Sequence, residues 1–468
     1  MNAELQRNLW LELRPRPCGV ALAVLALMAF TATEAFGLKL ADSLLALQWL
    51  GLSVYGFYSV WGLRKASAAV SDEVLSGTWD QQRLSGHSGA SLLLGKLFGT
   101  TAFTWFGALG GLALYLPAQA VLGSVGLALS HIATLLLGTV LLHAGALGGS
   151  LLAAGRLRRA RRGRPGLLGS LGWLVALGLA LMSAQAVGRE AGLLELQGRS
   201  APVAWWWSVS PALFIPGSLA IWLAWVLAGL HRLMRIELQL PVQPWSWLAF
   251  LLFVPFYLLP FARNLAGKEG AVWTLATLVW LAAAWLMSQA ERTDGIRLRR
   301  LMQRWYQGDR RGVWRGLPLW SLALVLAAIG LAGSLLSALP ALLSPTPGGP
   351  AQEALKLLVL ALFVGRDTAW MLAVQLATPP HRDPLGAMLV GQGLLYGLLP
   401  ATLLAMGASE VNLLTCWPLI LGKFDLQLGE ALMHLGWALP GMGLAIALLV
   451  RQTRRVLRET LDSEGARP

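Results

Sequence analysis

The sequence predicts an all-α, polytopic integral membrane protein of about twelve transmembrane helices, arranged as two pseudo-repeated six-helix halves. Three observations carry that expectation. Hydrophobic residues make up 56% of the 468-residue chain and charged residues only 13%, against roughly 25% charged in an average soluble domain. Apolar runs of about twenty residues, long enough to cross some ~30 Å of hydrocarbon as helices, recur along the whole length and leave no room for a large soluble domain. Basic residues sit in short clusters between those runs.

The spans are assigned in order to 19–38, 44–63, 97–117, 121–155, 166–187, 205–230, 245–262, 270–288, 317–343, 354–377, 386–407 and 428–450, the overlong 121–155 run holding a single span. With the amino terminus cytoplasmic, "RLRRARRGR" (156–164), the 289–316 loop and "RQTRRVLR" (451–458) all fall on the inner side. Of the 37 Lys and Arg, only Lys39, Arg189, Arg199, Arg263, Lys268 and Lys423 fall outside, and Lys356 and Arg366 fall within spans. An inward excess of Lys and Arg sets orientation, so both termini are expected in the cytoplasm. The net charge of +14 belongs to these loops and points to no nucleic-acid partner. Cys18 and Cys416 make no disulfide framework and stand at no metal-ligand spacing. The first apolar run follows Pro15 and Pro17 and lacks a small-residue cleavage site, so no cleavable signal peptide is expected.

A duplication is also legible. "LWLELRP" (9–15) precedes the first span and "MRIELQLP" (234–241) the seventh, each placing Glu-Leu shortly before a Pro. The offset from Glu12 to Glu237 carries 19–38 and 44–63 onto 244–263 and 269–288, the seventh and eighth spans. Each half then continues alike: a long polar loop (64–96 and 289–316), further spans, an external segment (188–204 and 408–427) and a sixth span. The expected halves are 1–236 and 237–468, fused in parallel, a recurrent plan for transporters.

The polar island "DEVLSGTWDQQRLSGHSGASLLLGK" (72–96) interrupts the first half. Gly77-Thr78 and Ser85-Gly86 break any helix there, leaving short helical pieces at the membrane surface. Trp79 and Leu84 are apolar contacts for a partner or the bilayer, and Glu73, Asp80 and Arg83 are charges that would set register in a docked interface. This stretch resembles the cytoplasmic loop between spans two and three of type-2 ATP-binding-cassette (ABC) permeases, with Glu73, Gly77, Thr78, Gly95 and Lys96 at the matching positions. The interfacial "NLWLELRP" (8–15) is similar to the elbow helix of that family. The resemblance covers the first half. It implies an ATP-driven permease, an exporter in a bacterial cytoplasmic membrane, whose loop docks separate ATPase subunits. ATP and Mg would then belong to the partner, with no cofactor in this chain. The chain departs from the family at Ser85-Gly86-His87, where a Pro is common, and the arginine-dominated 289–316 loop lacks the Glu, Gly-Thr and Gly-Lys pattern. That second loop could instead contact anionic lipid heads.

No catalytic or metal-binding residue is expected, and the chain is not read as an enzyme. "GASLLLGKL" (89–97) has five residues between Gly89 and Gly95 and carries Leu97 where a phosphate-binding loop needs Ser or Thr. Among intramembrane polar residues, His131, His143 and His434 lie in or near spans. Glu430 and His434, four apart, share a helix face where a proton or cation site is conceivable. Arg366 and Asp367 fall inside the tenth span, where an unpaired arginine costs at least ~2.5 kcal/mol, so they are expected to neutralise one another or face the bundle interior. Glu34 lies at the outer end of the first span and is solvated. "WWW" (205–207) reads as an interfacial anchor. Two rival readings remain. Twelve spans in two similar halves also describe the major facilitator superfamily, and "GDRRGVWRG" (308–316) is similar to its Asp-Arg-x-Gly motif, but the long 64–96 loop and the short 231–244 connector oppose that ion-coupled reading. A membrane scaffold or assembly factor would need only the bundle. An apolar path suits a lipid or drug, and nothing in the sequence identifies which.

Overall fold

The computed structural model describes residues 2–35, 40–159, 211–259, 270–291, 293, 295–342, 350–379, 384–398, 402 and 428–465, and among them helices are the only regular element. In hydrocarbon no water can satisfy backbone N–H and C=O groups, and a helix pairs all of them internally. Among the described residues eight helices are long and apolar enough to cross a membrane: Pro15–Glu34, Leu40–Leu75, Ala102–Leu122, Val125–Gly155, Ala212–Glu237, Ala271–Ala290, Leu319–Pro340 and Pro350–Ala377. Each overlaps an expected span. The expected span at 245–262 is a shorter helix, Trp245–Leu258, of 14 residues, or about 21 Å at 1.5 Å per residue. The span at 386–407 begins as Leu385–Gly393 and a π-helical turn, Leu394–Leu398, and 428–450 opens a helix that runs on to Gly465. The expected span 166–187, the Trp205–Trp207 anchor and the segments 188–204 and 408–427 lie outside the described residues.

The chain divides into two compact units, Met1–Val242 and Gln243–Pro468. The first opens with α1 (Ala3–Glu12), capped by the Asn2 side chain, which accepts from the Leu5 N–H. Pro15 then starts α2 (Pro15–Ala35), where its missing N–H costs nothing because a first-turn donor has no helical partner anyway. Next, α3 (Leu40–Ala68) packs against α7 (Ala102–Leu122) and α8 (Val125–Arg159). The crossing of α3 and α7 depends on Gly51 and Gly111. A Cβ on either would stand 2.6 Å from the carbonyl oxygen of the other, so only glycine lets the two backbones touch. The unit closes with α9 (Pro211–Glu237) against α8.

Between α3 and α7 the polar island folds as α4 (Ser71–Leu75), α5 (Trp79–Leu84) and α6 (Gly89–Leu94), then a π-helical turn over Gly95–Gly99. The breaks come at Gly77 and Gly86, with φ of 77° and 70°, a region open to glycine at little cost.

The second unit holds α10 (Trp245–Leu258), α11 (Ala271–Ala290), α12 (Gly295–Tyr306), α13 (Arg310–Gly316), α14 (Leu319–Leu342), α15 (Pro350–Ala377), α16 (Leu385–Gly393) and α17 (Leu428–Gly465). Its α11 packs on α10, α14 and α15, and α15 packs on α17. That order matches the first unit, where α3 packs on α2, α7 and α8, and α8 packs on α9. The cores differ in chemistry. In the second unit Ala276, Trp280 and Ala284 of α11 meet Ala323 and Ala327 of α14 in an apolar cluster, with the Trp280 indole donating to the Leu251 carbonyl at 2.7 Å.

Candidate functional site

The expected docking loop is organised around Lys96, whose side chain is fully buried. Its ammonium lies 2.8 Å from Glu4 Oε1 and also bonds Glu73 Oε1, with the Trp79 ring centroid 6.0 Å away. Arg7 reaches both carboxylates, at 3.1 Å and 3.4 Å. Gln82 Nε2 donates to Glu73 at 2.9 Å. Asn8 Nδ2 donates to Glu4 at 3.0 Å and to the Gly95 carbonyl at 3.3 Å. Two carboxylates therefore meet two cations, which a buried cluster needs because each unpaired charge would keep its desolvation penalty.

Elements far apart in sequence meet in this cluster: Glu4, Arg7 and Asn8 come from α1, Glu73 from α4, Trp79 and Gln82 from α5, and Lys96 from the π-helical turn. Asn2 adds a further tie, donating to the Ser91 carbonyl at 2.6 Å. The close seat of α1 depends on Gly95, where a Cβ would stand 2.6 Å from Glu4 Cγ. Burial pushes the Glu4 carboxyl up, but the hydrogen bond and charge of Lys96, with Arg7 and Asn8, outweigh it and hold the group below its ordinary value.

Two expected roles are corrected here. Trp79 is not an outward contact for a partner or the bilayer. It is 1% exposed and packs with Val70, Leu92, Leu97, Leu147 and Met234. Glu73 likewise turns inward to Lys96. The reasons differ: Trp79 is held by apolar packing against α6, α8 and α9, with the Lys96 ammonium over its ring, whereas Glu73 is drawn in by the charge of the buried Lys96. Lys96 and Gly95 are buried, whereas Gly77 and Thr78 are exposed. The Thr78 N–H closes the α4–α5 turn by donating to the Glu73 carbonyl at 2.9 Å. Asp80 is exposed and pairs with Arg83 at 3.0 Å, and Arg83 donates to the Glu237 carbonyl at 2.9 Å, tying the loop to the end of α9. The outward face of the loop carries Asp80, Leu75 and Leu84, the last 87% exposed. Glu4, Arg7, Asn8 and Gln82 were not singled out from the sequence. The amphipathic character of α1 marks a surface helix, and no local pattern says that its polar face meets a lysine some ninety residues on.

The corresponding loop of the second unit is built differently. Glu291 pairs with Arg297 at 2.6 Å, and Asp309 caps α13 by accepting from the Gly312 N–H at 2.9 Å. Arg300, Arg304, Arg310, Arg311 and Arg315 are exposed, as are Ile296, Trp305 and Tyr306.

Arg366 and Asp367 form a contact with each other, at 2.8 Å. Tyr396, in the Leu394–Leu398 turn, joins them: its hydroxyl accepts from Arg366 at 3.0 Å and donates to Asp367. The guanidinium also lies 4.8 Å from the Phe363 ring centroid. Tyr396 was not legible as a member, being separated by a turn and a helix start. Glu430 and His434 fall on α17, but their side chains lie outside the described residues. Among the described residues no three His, Cys, Asp or Glu side chains stand close enough to hold a metal ion. In comparisons with family models, curated proteins and solved structures, the chain finds no match.

Proposed function

We propose that this chain is the permease subunit of a type-2 ABC transporter, with about twelve spans in two fused halves, exporting an apolar substrate across a bacterial cytoplasmic membrane. Separate ATPase subunits would dock on its cytoplasmic loops and supply ATP and Mg. The observation that carries this reading is the anchoring of the α4–α6 loop by Lys96 to both α1 and the turn that leads into α7. A flexible connector would absorb a push from a docked partner. A loop pinned by buried ion pairs passes it to the helix behind. The matching packing order of the two units supports the same reading, since one chain would then supply both halves of the transport path.

The docking face on this reading is the outward one, Leu75, Asp80 and Leu84, with the buried residues holding its shape. Leu84→Asp and Asp80→Arg should each lower copurification of a soluble ATPase from native membranes by about tenfold, the loss of one interface anchor, while the bundle stays folded. A wild-type chain that repeatedly purifies intact with no ATPase refutes the proposal.

A further inference from the structure

The first unit contains a second buried polar assembly, distinct from the Lys96 cluster, along the interface of α3, α7 and α8. His131, Leu135, Thr139 and His143 recur at four-residue spacing on α8 and so form one stripe, about 18 Å long at 1.5 Å per residue. The Tyr115 hydroxyl lies 2.8 Å from His131 Nδ1. Tyr55 donates to the Leu135 carbonyl at 2.6 Å and shares a hydrogen bond with the Thr139 hydroxyl. Thr139 in turn reaches Ser59 Oγ at 3.3 Å, and His143 Nε2 lies 3.0 Å from the Ser59 carbonyl. The stripe has polar ends. Beyond His131, Gln48 donates to Gln119. Beyond His143, the hydroxyls of Thr104, Thr101 and Thr100 donate to the carbonyls of Thr101, Leu97 and Lys96, stepping down to the buried lysine. Gly62 leaves room for this turn: a Cβ there would stand 2.6 Å from His143 Nε2 and 2.7 Å from Thr104 Oγ1.

Three facts separate this seam from ordinary helix packing. First, both imidazoles are buried, His131 at 8% exposure and His143 at 1%. Second, each uses one ring nitrogen and leaves the other, His131 Nε2 and His143 Nδ1, without a hydrogen-bond partner among the described residues. An imidazole engaged on one nitrogen and open on the other can take a proton on one side and release one from the other. Third, the second unit packs its equivalent trio, α11, α14 and α15, in the same order without a histidine on any of the three helices: alanines and Trp280 line the α11–α14 contact, and the α11–α15 contact carries Ser288 and Gln375. Helix association in such a trio therefore does not require buried imidazoles, and interhelical hydrogen bonds in membranes average only about 0.6 kcal/mol. Ionisable residues kept inside a bundle at a cost mark proton and ion pathways.

The groups around His143 are Ser59 and Gly62 of α3 with Thr104 and Trp105 of α7. Around His131 stands Tyr115. Charged and titratable groups on the elements packed against this stripe lie at both ends: Asp42 in the first turn of α3 beyond the Gln48–Gln119 pair, and toward His143 Arg64 and Lys65 on α3, Asp72 and Glu73 on α4, Lys96 on the π-helical turn, and His231, Arg232, Arg235 and Glu237 on α9.

We propose that this seam is a proton pathway through the first unit, with His131 and His143 as its two stations and the hydroxyls of Tyr55, Ser59 and Thr139 between them. His131 can pass a proton between its open Nε2 and the Tyr115 hydroxyl, whereas His143 keeps its Nε2–H on the Ser59 carbonyl and takes up and releases the proton at Nδ1. Water carries the proton between each imidazole and the hydroxyls, so a single positive charge crosses and no electrons move. The pathway needs neither nucleotide nor a second polypeptide, and it stands apart from the ATPase reading.

The test is a flux measurement on the full chain in liposomes filled with a pH-reporting dye, with potassium and valinomycin setting an inside-negative potential and no nucleotide present. Wild-type protein should acidify the lumen several-fold faster than protein-free liposomes. His143→Gln and His131→Gln keep a hydrogen-bonding side chain that cannot carry the proton, and each should reduce the protein-dependent rate at least tenfold. Thr139→Val, which removes one hydroxyl at nearly constant volume, should reduce it as well and serves where a Gln variant fails to elute as a folded species. Wild-type flux equal to that of empty liposomes overturns the proposal, as does wild-type flux in a folded His143→Gln or Thr139→Val protein.

Discussion

Lys96→Met is the most direct perturbation of the loop cluster. The substitution keeps the length of the side chain and removes its charge, leaving Glu4 and Glu73, with side chains 5% and 19% exposed, facing one another. Breaking a buried ion pair by removing one partner costs about 3–5 kcal/mol. Arg7 still reaches both carboxylates, but its side chain is 49% exposed and its compensation is screened by solvent, so a loss near ~3 kcal/mol is expected. Hydrogen exchange of purified protein in lipid nanodiscs reads it locally: amides across 72–99 and 3–12 should lose protection together, because Lys96 bonds both segments. Adding Glu4→Gln and Glu73→Gln to Lys96→Met should recover part of the loss, since the uncompensated charges go with them. Acid gives an independent check of sign. Glu4 is held below its ordinary value of 4.5 in the folded chain, so its contribution is fully present above that pH and fades as pH falls through the lower folded value. Wild-type protection of 3–12 should drop in that acid window, and a Glu4→Gln chain should lack that component. Unchanged exchange in Lys96→Met, within about 0.5 kcal/mol, refutes the view that the pair holds the loop.

Two further substitutions test the fold and the second unit. Gly111→Val forces a Cβ to within 2.6 Å of the Gly51 carbonyl oxygen, and the chain should fail to yield a monodisperse species on size exclusion, whereas Gly138→Val, at a site with open space, should be tolerated. Tyr396→Phe removes the hydroxyl that joins Arg366 and Asp367 and should cost about 1–3 kcal/mol, read as a lowered thermal midpoint in detergent. A midpoint equal to wild type would show that the two charges satisfy one another without it.

Hydropathy and local chemistry determined a large share of this molecule before any packing was considered. The apolar runs among the described residues are helices because a membrane-spanning backbone must pair its own hydrogen bonds, and that requirement is written in composition alone. Gly77 and Gly86 marked the breaks between the short loop helices, since a positive φ is a single-residue property. Pro15 marked the end of the amphipathic stretch before the first span, and α2 starts at that residue rather than at 19. The Arg366–Asp367 contact was legible because the two residues are neighbours, while Tyr396, which completes it, was not.

Only the tertiary structure decided which way the loop residues face. Trp79 and Leu84 stand five residues apart on the same short helix, equally apolar in sequence, yet one is 1% and the other 87% exposed. The difference arises because Trp79 enters the apolar cluster formed by Leu147 and Leu151 of α8 with Leu230 and Met234 of α9, while Leu84 points away from it. Likewise, His131, Tyr115, Tyr55 and His143 read as scattered polar residues until the touching backbones of Gly51 and Gly111 bring α3 and α7 together against α8. Local sequence sets what each helix can be. Desolvated charges and close backbone contacts, acting between residues far apart in the chain, set which of its faces meets a partner.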